Sequence, residues 1–431
     1  MSKLPTGWSA ARLADVAEVI SGQAPPGSSY NQLGEGVPLY QGKSEFGLLY
    51  VGAPRFWTTA PSKLAEPGDV LLSVRAPVGP TNLARQRCAI GRGLVALRAR
   101  RGVSQMFLLY WLRYSQQKLA DQATGSTFPA ISSQVIREHP VSLPPTEEQE
   151  QIVAAIEEEF SRLDAGAAAL ESARSRLQFC RIALLKHSFE PLVASGETAP
   201  LWEIATTQLG RMLSGTRETG RHAKPYLRNR DVQWGQINVS NLPTMDFPDK
   251  DGERFRLKDG DVLVCEGGEV GRSAVWRSPL AECYYQKAIH RVRCSEALLP
   301  DFLRYYFEFL ARTKQFGDAT SGMTIAHLPQ EDLRSLRMPV PHTATQRAVV
   351  ERLQGWQETE RRTLEALKHL RDRANALRSA ILASAFSGHL VPEGHKQQSH
   401  GILVNRLAAD QTNIKSLKRT LISKRHTKAS V

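Results

Sequence analysis

The chain has 431 residues, with 56 Lys+Arg against 43 Asp+Glu and a formal net charge of +13. Apolar residues at 41% and charged residues at 23% exclude a mainly disordered chain, and the length predicts two to four domains. No apolar run approaches the ~20 residues of a membrane helix, and the start lacks the apolar core of a signal peptide, so a cytoplasmic protein without a membrane span is expected.

From the N-terminus, short β-like runs broken by Gly, Pro, Asn and Asp come first: Pro38-Leu-Tyr-Gln, Val70-Leu-Leu-Ser-Val and Leu94-Val-Ala-Leu. A short helix is predicted around 104–120. After Pro144-Pro145, Thr146 can act as N-cap, with Glu147 and Glu148 in the first turn and Gln149 at the capping-box position. A long helix follows, with apolar residues at Ile156, Leu163, Leu170, Leu177 and Leu184. Strand-like runs then return at Val262-Leu-Val-Cys and Ile289-His-Arg-Val, with a short helix around 299–315. A second long helix begins beyond Pro341, with Thr343 and Gln346 in the same relation and Leu353, Glu360, Leu367, Ala374 and Ile381 spaced by seven. Trp356, Leu370 and Leu377 join that stripe.

The chain is therefore written twice. Residues 124–156 and 321–353 match at a constant offset of 197: Gly125-Ser-Thr faces Gly322-Met-Thr, Val141-Ser-Leu-Pro faces Met338-Pro-Val-Pro, and Gln149 faces Gln346. Upstream, Phe107-Leu-x-Tyr110 pairs with Phe302-Leu-x-Tyr305, Gly68-Asp-Val-Leu with Gly260-Asp-Val-Leu, and Leu13-Ala-Asp-Val-Ala with Leu201-Trp-Glu-Ile-Ala. The predicted fold class is α+β: two similar globular domains, each followed by a long helix. The seven-residue stripes predict that the two helices pair as an antiparallel coiled coil. Its expected seam is Ile156, Leu163, Leu170, Leu177 and Leu184 against Leu353, Leu367, Leu370, Leu377 and Ile381. The expected segments are 1–145, 146–190, 197–341, 342–388 and a basic tail, 395–431.

Catalytic signatures fail one by one. Gln41-Gly42-Lys43-Ser44 ends like a phosphate loop, but the first glycine of that motif would fall at 37, which is Val. Gly267-Gly268-Glu-Val-Gly271 follows a strand with no helix signal after it and reads as a turn. The methyltransferase Asn-Pro-Pro-Tyr is missing, as is a nuclease Glu-x-Lys beside Pro248-Asp249. The 11 histidines form no metal cluster, and Cys88, Cys180, Cys265, Cys283 and Cys294 show no Cys-x-x-Cys spacing. No catalytic residue, metal or cofactor is expected.

Several segments carry a resemblance: Leu4-Pro-x-Gly-Trp8, Gly125-Ser-Thr-Phe-Pro-Ala-Ile-Ser, Ile136-Arg-Glu-His-Pro-Val-Ser-Leu-Pro-Pro-Thr-Glu-Glu-Gln, its echo Leu333-Arg-Ser-Leu-Arg-Met-Pro-Val-Pro, and Ala383-Ser-Ala-Phe-Ser-Gly388-His-Leu. With the duplicated plan, the chain resembles the specificity subunit of type I restriction–modification systems over residues 4–392. The resemblance implies that each globular part is a target recognition domain reading half of a bipartite, asymmetric site on double-stranded DNA. It implies that the coiled coil sets the spacer and docks two methyltransferase subunits, and that restriction/translocase subunits supply cleavage. A self-sufficient DNA-modifying enzyme and a coiled-coil scaffold that never meets DNA are the competing readings.

Basic or polar residues at turns flanking strands are the candidate DNA contacts, because Arg pairs bidentately with guanine and Lys neutralises phosphate. In the first domain these are Lys43, Arg55, Arg75, Arg92, Ser126 and Thr127; in the second, Lys224, Arg228, Arg230, Arg272, Lys287 and His290. The charge is uneven: residues 1–145 hold 15 Lys+Arg against 8 acids, while 197–341 hold 20 against 19. The tail 395–431, with eight Lys+Arg and one acid, reads as a nonspecific flexible arm.

Overall fold

The structure, a computed structural model, describes residues 4–125, 129–212, 220–277, 280–316 and 327–390. Ser126, Thr127, the echo Gly322-Met-Thr and the tail 395–431 lie outside the described residues. The chain divides into two compact units, 1–167 with the stretch from 371 onward, and 168–370, so the dividing line falls inside both long helices.

In the first unit, Ser9–Arg12 pairs antiparallel with Pro140–Leu143, tying the start of the globular head to its end. A four-stranded antiparallel sheet has the order Ala17–Ser21, Leu94–Ala99, Val70–Ser73, Thr81–Leu83. Val70–Ser73 is buried along its whole length, which is why it reads as a continuous apolar run. A second sheet of five short strands includes the parallel pair Val37–Tyr40 and Cys88–Ile90. The helix Gln105–Tyr114, capped by the Ser104 hydroxyl, contributes Phe107, Leu108 and Leu112 to the core.

The second unit repeats this plan. Thr198–Pro200 pairs with Arg337–Pro339, and the sheet order is Ala205–Leu209, Ile289–Cys294, Val262–Cys265, Ser273–Val275. Ala223–Leu227 and Tyr284–Tyr285 form the matching parallel pair, and Pro300–Arg312 is the matching helix. Turn chemistry repeats as well. Asp69 accepts from the Glu66 amide and holds Arg98 bidentately at 2.9 and 2.8 Å; Asp261 accepts from the Lys258 amide and holds Arg293 at 2.7 and 2.7 Å.

The long helices run Thr146–Ala194 and Thr343–Phe386. Thr146 is itself the first helical residue, and its hydroxyl donates to the Gly102 carbonyl at 3.1 Å rather than capping the helix. Gln149 is 1% exposed. Its Oε1 accepts from the Ser104 amide at 2.8 Å, and its Nε2 donates to Gly102 and Pro144 carbonyls at 3.2 and 3.0 Å. Gln346 does the same in the second unit, with the Leu299 amide at 2.9 Å and the Ala297 and Pro341 carbonyls at 2.8 and 2.8 Å. The expected capping-box glutamine is thus a clamp between helix and head. A carboxamide offers both an acceptor and donors, and that position meets a free amide and free carbonyls together.

The two helices pair in antiparallel order. In the first unit Ile152, Ile156 and Phe160 share a core with Ile381, Leu382 and Phe386, and Asp164 is ion-paired with Arg378. In the second, Leu185 and Phe189 share a core with Val349 and Leu353, and Arg181 meets Glu360 at 2.7 Å. Of the expected seam, Ile156, Leu353 and Ile381 are buried, whereas Leu163, Leu170, Leu177, Leu184, Leu367 and Leu377 are half-buried. Leu370 departs: it is 40% exposed, although Leu377, one heptad further on, is half-buried.

Candidate nucleic-acid interface

One cluster of loops in the first head gathers three of the expected cations. Lys43 starts a single 3-10 turn after Val37–Tyr40, Arg75 follows Val70–Ser73, and Arg92 sits between Gly91 and Gly93 after Cys88–Ile90. Together with Gln41 and Ser73 they line a recess of about 180 Å³. All three are exposed, and among the described residues none has a carboxylate partner. The loops are held by close backbone approach: a Cβ on Gly22 would stand 2.2 Å from the Gly91 carbonyl oxygen, and one on Gly93 2.3 Å from that of Gln41. Three unpaired cations on a rigid concave rim suit phosphate oxygens or the acceptor edge of guanine. Arg55 is exposed too, but it lies outside this recess and faces Glu45 at 3.4 Å.

The second head holds its expected residues differently. Arg230 and Lys287 are exposed on the corresponding loops, Lys287 with its amide bonded to the Arg211 carbonyl at 2.8 Å. Arg228 is gripped bidentately by Asp231 at 2.7 and 2.8 Å, and Lys224 is paired with Glu282 at 2.7 Å. Arg272 donates to the Asn229 carbonyl and side chain at 3.0 and 2.8 Å, so it fastens one loop to another. His290 is fully buried, with Nε2 2.9 Å from the Leu328 carbonyl; burial pushes its pKa below the usual histidine value, and it is a core residue rather than a surface contact. Tyr226 is also buried, and the Trp234 indole donates to Glu269 at 2.7 Å.

Backbone hydrogen bonds fix which positions of the two heads are equivalent. Gly22 bonds to Leu94 as Gly210 does to Ile289, Val74 to Gly93 as Glu266 to Ala288, and Ile131 to Val74 as Leu328 to Glu266. Arg75 bridges to Ala130 as Gly267 does to His327. The first head therefore presents Val74, Arg75, Arg92 and Ala130 where the second presents Glu266, Gly267, Lys287 and His327. His327 Nε2 lies 2.9 Å from a Glu266 carboxylate oxygen. Sequence reasoning missed this pair because it searched for cations. The offset that matches Ile131 with Leu328 already set His327 opposite Ala130.

Among the described residues no group of three or more His, Cys, Asp or Glu side chains could hold a metal ion, and no helix is long and apolar enough to cross a membrane.

The profile of the family described as type I restriction modification DNA specificity domain matches residues 5–173 and again 197–369. The chain is similar to the MjaX type I restriction enzyme specificity subunit of Methanocaldococcus jannaschii, 39% identical over 155 residues; this alignment spans 35% of the chain and only 36% of that relative. It is 22% identical over 372 residues to the MjaVIII specificity subunit of the same organism, covering 81% of the chain and 86% of that protein. Among solved structures, one from work on complex assembly and conformational transition of the type I R-M system has a TM-score of 0.70 at 21% identity. It covers 90% of this chain and 100% of that one, a likeness of fold.

Proposed function

The chain belongs to the type I restriction–modification DNA specificity family, and from that premise we propose that it chooses the DNA sequence on which a multi-subunit modification enzyme acts. Each head reads one half of a bipartite target, and the paired helices set the unread spacer and dock two methyltransferase subunits. Those subunits carry the methyl-transfer chemistry, and restriction/translocase subunits, where present, carry cleavage. This chain performs neither step; it works in the cytoplasm, as part of DNA methylation and host defence.

One observation carries the reading: two heads built on the same hydrogen-bonded scaffold present different side chains at equivalent loop positions. A duplicated scaffold with divergent rims suits two half-sites of different sequence, much as a dimeric repressor's identical heads suit a palindrome. In the first head Lys43, Arg75 and Arg92 meet DNA, with Arg55 at the margin; Ser126 and Thr127, outside the described residues, are kept as contacts on their residue type alone. In the second, Arg230 and Lys287 supply the exposed positive charge, while Arg228, Lys224 and Arg272 act mainly through the loops they hold.

Methylome sequencing of cells with and without the gene tests the proposal. Deletion should erase one bipartite methylated motif and leave others intact. An unchanged methylome, or methyl transfer by the purified chain alone, would overturn it.

A further inference from the structure

The second head carries a carboxylate where the equivalent residue of the first head is Val74, beside the cations Arg75 and Arg92, and this departure has a chemical consequence. Glu266 is 7% exposed and follows the central strand Val262–Cys265. Its backbone is fixed on both sides, the amide donating to Ala288 at 3.1 Å and the carbonyl accepting from Leu328 at 2.6 Å. One carboxylate oxygen meets His327 Nε2 at 2.9 Å, and the imidazole, 62% exposed, stands on the solvent side of the pair. The equivalent residues in the first head are Val74 and Ala130, neither of which can hydrogen-bond through its side chain. The next position also changes, from Arg75 on the recess to Gly267, which removes a long cation beside the carboxylate.

A carboxylate on a DNA-facing rim is repelled by phosphates and adds nothing to general affinity. Its favourable use is as an acceptor for an exocyclic amine on a base edge, a pairing open to cytosine N4 and adenine N6 but closed to a carbonyl at the same groove position. We propose that Glu266 and His327 form a specificity-determining pair that selects a base presenting an exocyclic amine in the half-site read by the second head. His327 donates to one oxygen and orients the carboxylate, which leaves the other oxygen to accept from the base. The first head, with Arg75 and Arg92 at the matching loops, favours acceptor edges instead. The two half-sites therefore differ in chemical class at this position. The proposal rests on the DNA-specificity reading above.

The test uses the full chain assembled with its methyltransferase partner and a panel of duplexes carrying every single-base change in both half-sites. With Glu266→Val, which puts the first head's residue there and removes the acceptor, discrimination should fall roughly ten-fold or more at one position of one half-site, where the wild-type base on the facing strand is cytosine or adenine. The other half-site should be unaffected. His327→Ala, which puts the first head's residue at this exposed position and removes the donor, should relax the same position, and it carries the test by itself if Glu266→Val does not fold. Unchanged discrimination in both variants, equal weakening on every duplex, or a shift at a position that reads a carbonyl would each overturn the pair's role. If the wild-type complex shows no preference for any duplex over a scrambled one, the DNA-specificity reading fails first, and that result is distinct from a loss confined to Glu266.

Discussion

His139 and Leu336 occupy one position in the two heads: the carbonyl of each accepts from the first residue of a short helix, Leu13 in one case and Leu201 in the other. His139 is 3% exposed, and neither ring nitrogen has a partner among the described residues. Burial, helped by Lys118, pushes its pKa down to about 4. A histidine whose folded pKa lies below its unfolded value takes up its proton first in the unfolded state, so stability is full above pH ~6.5 and is lost as pH falls from there toward the folded pKa. The loss approaches about 3 kcal/mol at the acid end. His139→Leu should remove this slope and stabilise the first unit even at neutral pH, because an unbonded polar ring leaves the core. Urea unfolding between pH 7.5 and 4.5 checks it; equal slopes for variant and wild type would refute the assignment. The sequence already contained this contrast, Ile136-Arg-Glu-His139 against Leu333-Arg-Ser-Leu336. It did not contain the burial, since a histidine beside Pro140 reads equally well as surface. Lys43, Arg75 and Arg92 were legible for the opposite reason: glycines and turn residues around them marked exposed loops.

Elements were easier to read than the joints between them. Seven-residue spacing predicted the two long helices and their pairing, because a stripe of apolar residues needs a partner whatever the rest of the fold. The polar joints were hidden, since a charge inside a stripe reads as solvated. Arg181 is the clearest case: its guanidinium is bonded to Glu308, which is fully buried, and to Glu360 at 2.7 Å. Glu308 also accepts from Arg304 at 3.0 Å. Arg378, at the matching place in the first unit, pairs instead with Asp164; burial, with a smaller push from Arg378, lowers the pKa of Arg113. Arg181→Met should destabilise the second unit by about 3–5 kcal/mol, because the variant leaves a buried carboxylate short of its main partner. Adding Glu308→Gln to that variant should recover a good part of the loss. A double-mutant cycle by chemical denaturation reads the coupling, and additive losses would mean that the pair is not a unit. The glutamine clamps give a second measure. Gln346→Leu orphans the Leu299 amide and two carbonyls at once and should cost about 3 kcal/mol or more, while Gln346→Glu, which keeps the acceptor, should still lose both donated bonds.

At the scale of the whole molecule, the duplication governs behaviour. Two heads that share a scaffold and differ at their rims should be exchangeable one at a time, so replacing residues 1–145 by the corresponding part of another family member should change one half of the methylated motif and leave the other intact. A change in both halves would mean that the heads do not read independently. Net charge belongs to a different function of the same molecule. The second head is almost neutral over 197–341, and its structure spends much of its positive charge on internal pairs: Arg228 on Asp231, Lys224 on Glu282, Arg293 on Asp261. Positive charge that is neutralised within the protein releases no counterions from DNA, so the salt dependence of binding should come mainly from the first head and from the tail 395–431, with its eight Lys+Arg and one acid. Each phosphate the tail neutralises contributes about 0.9 to the slope of log affinity against log salt. Truncation at 394 should therefore flatten that slope by a few units and weaken binding to scrambled DNA as much as to the target, leaving the methylated motif unchanged. Affinity titrations on both duplexes from 50 to 300 mM salt decide the matter. A motif that shifts on truncation would give the tail a part in reading sequence, whereas an unaltered slope would show that its charge never reaches the DNA.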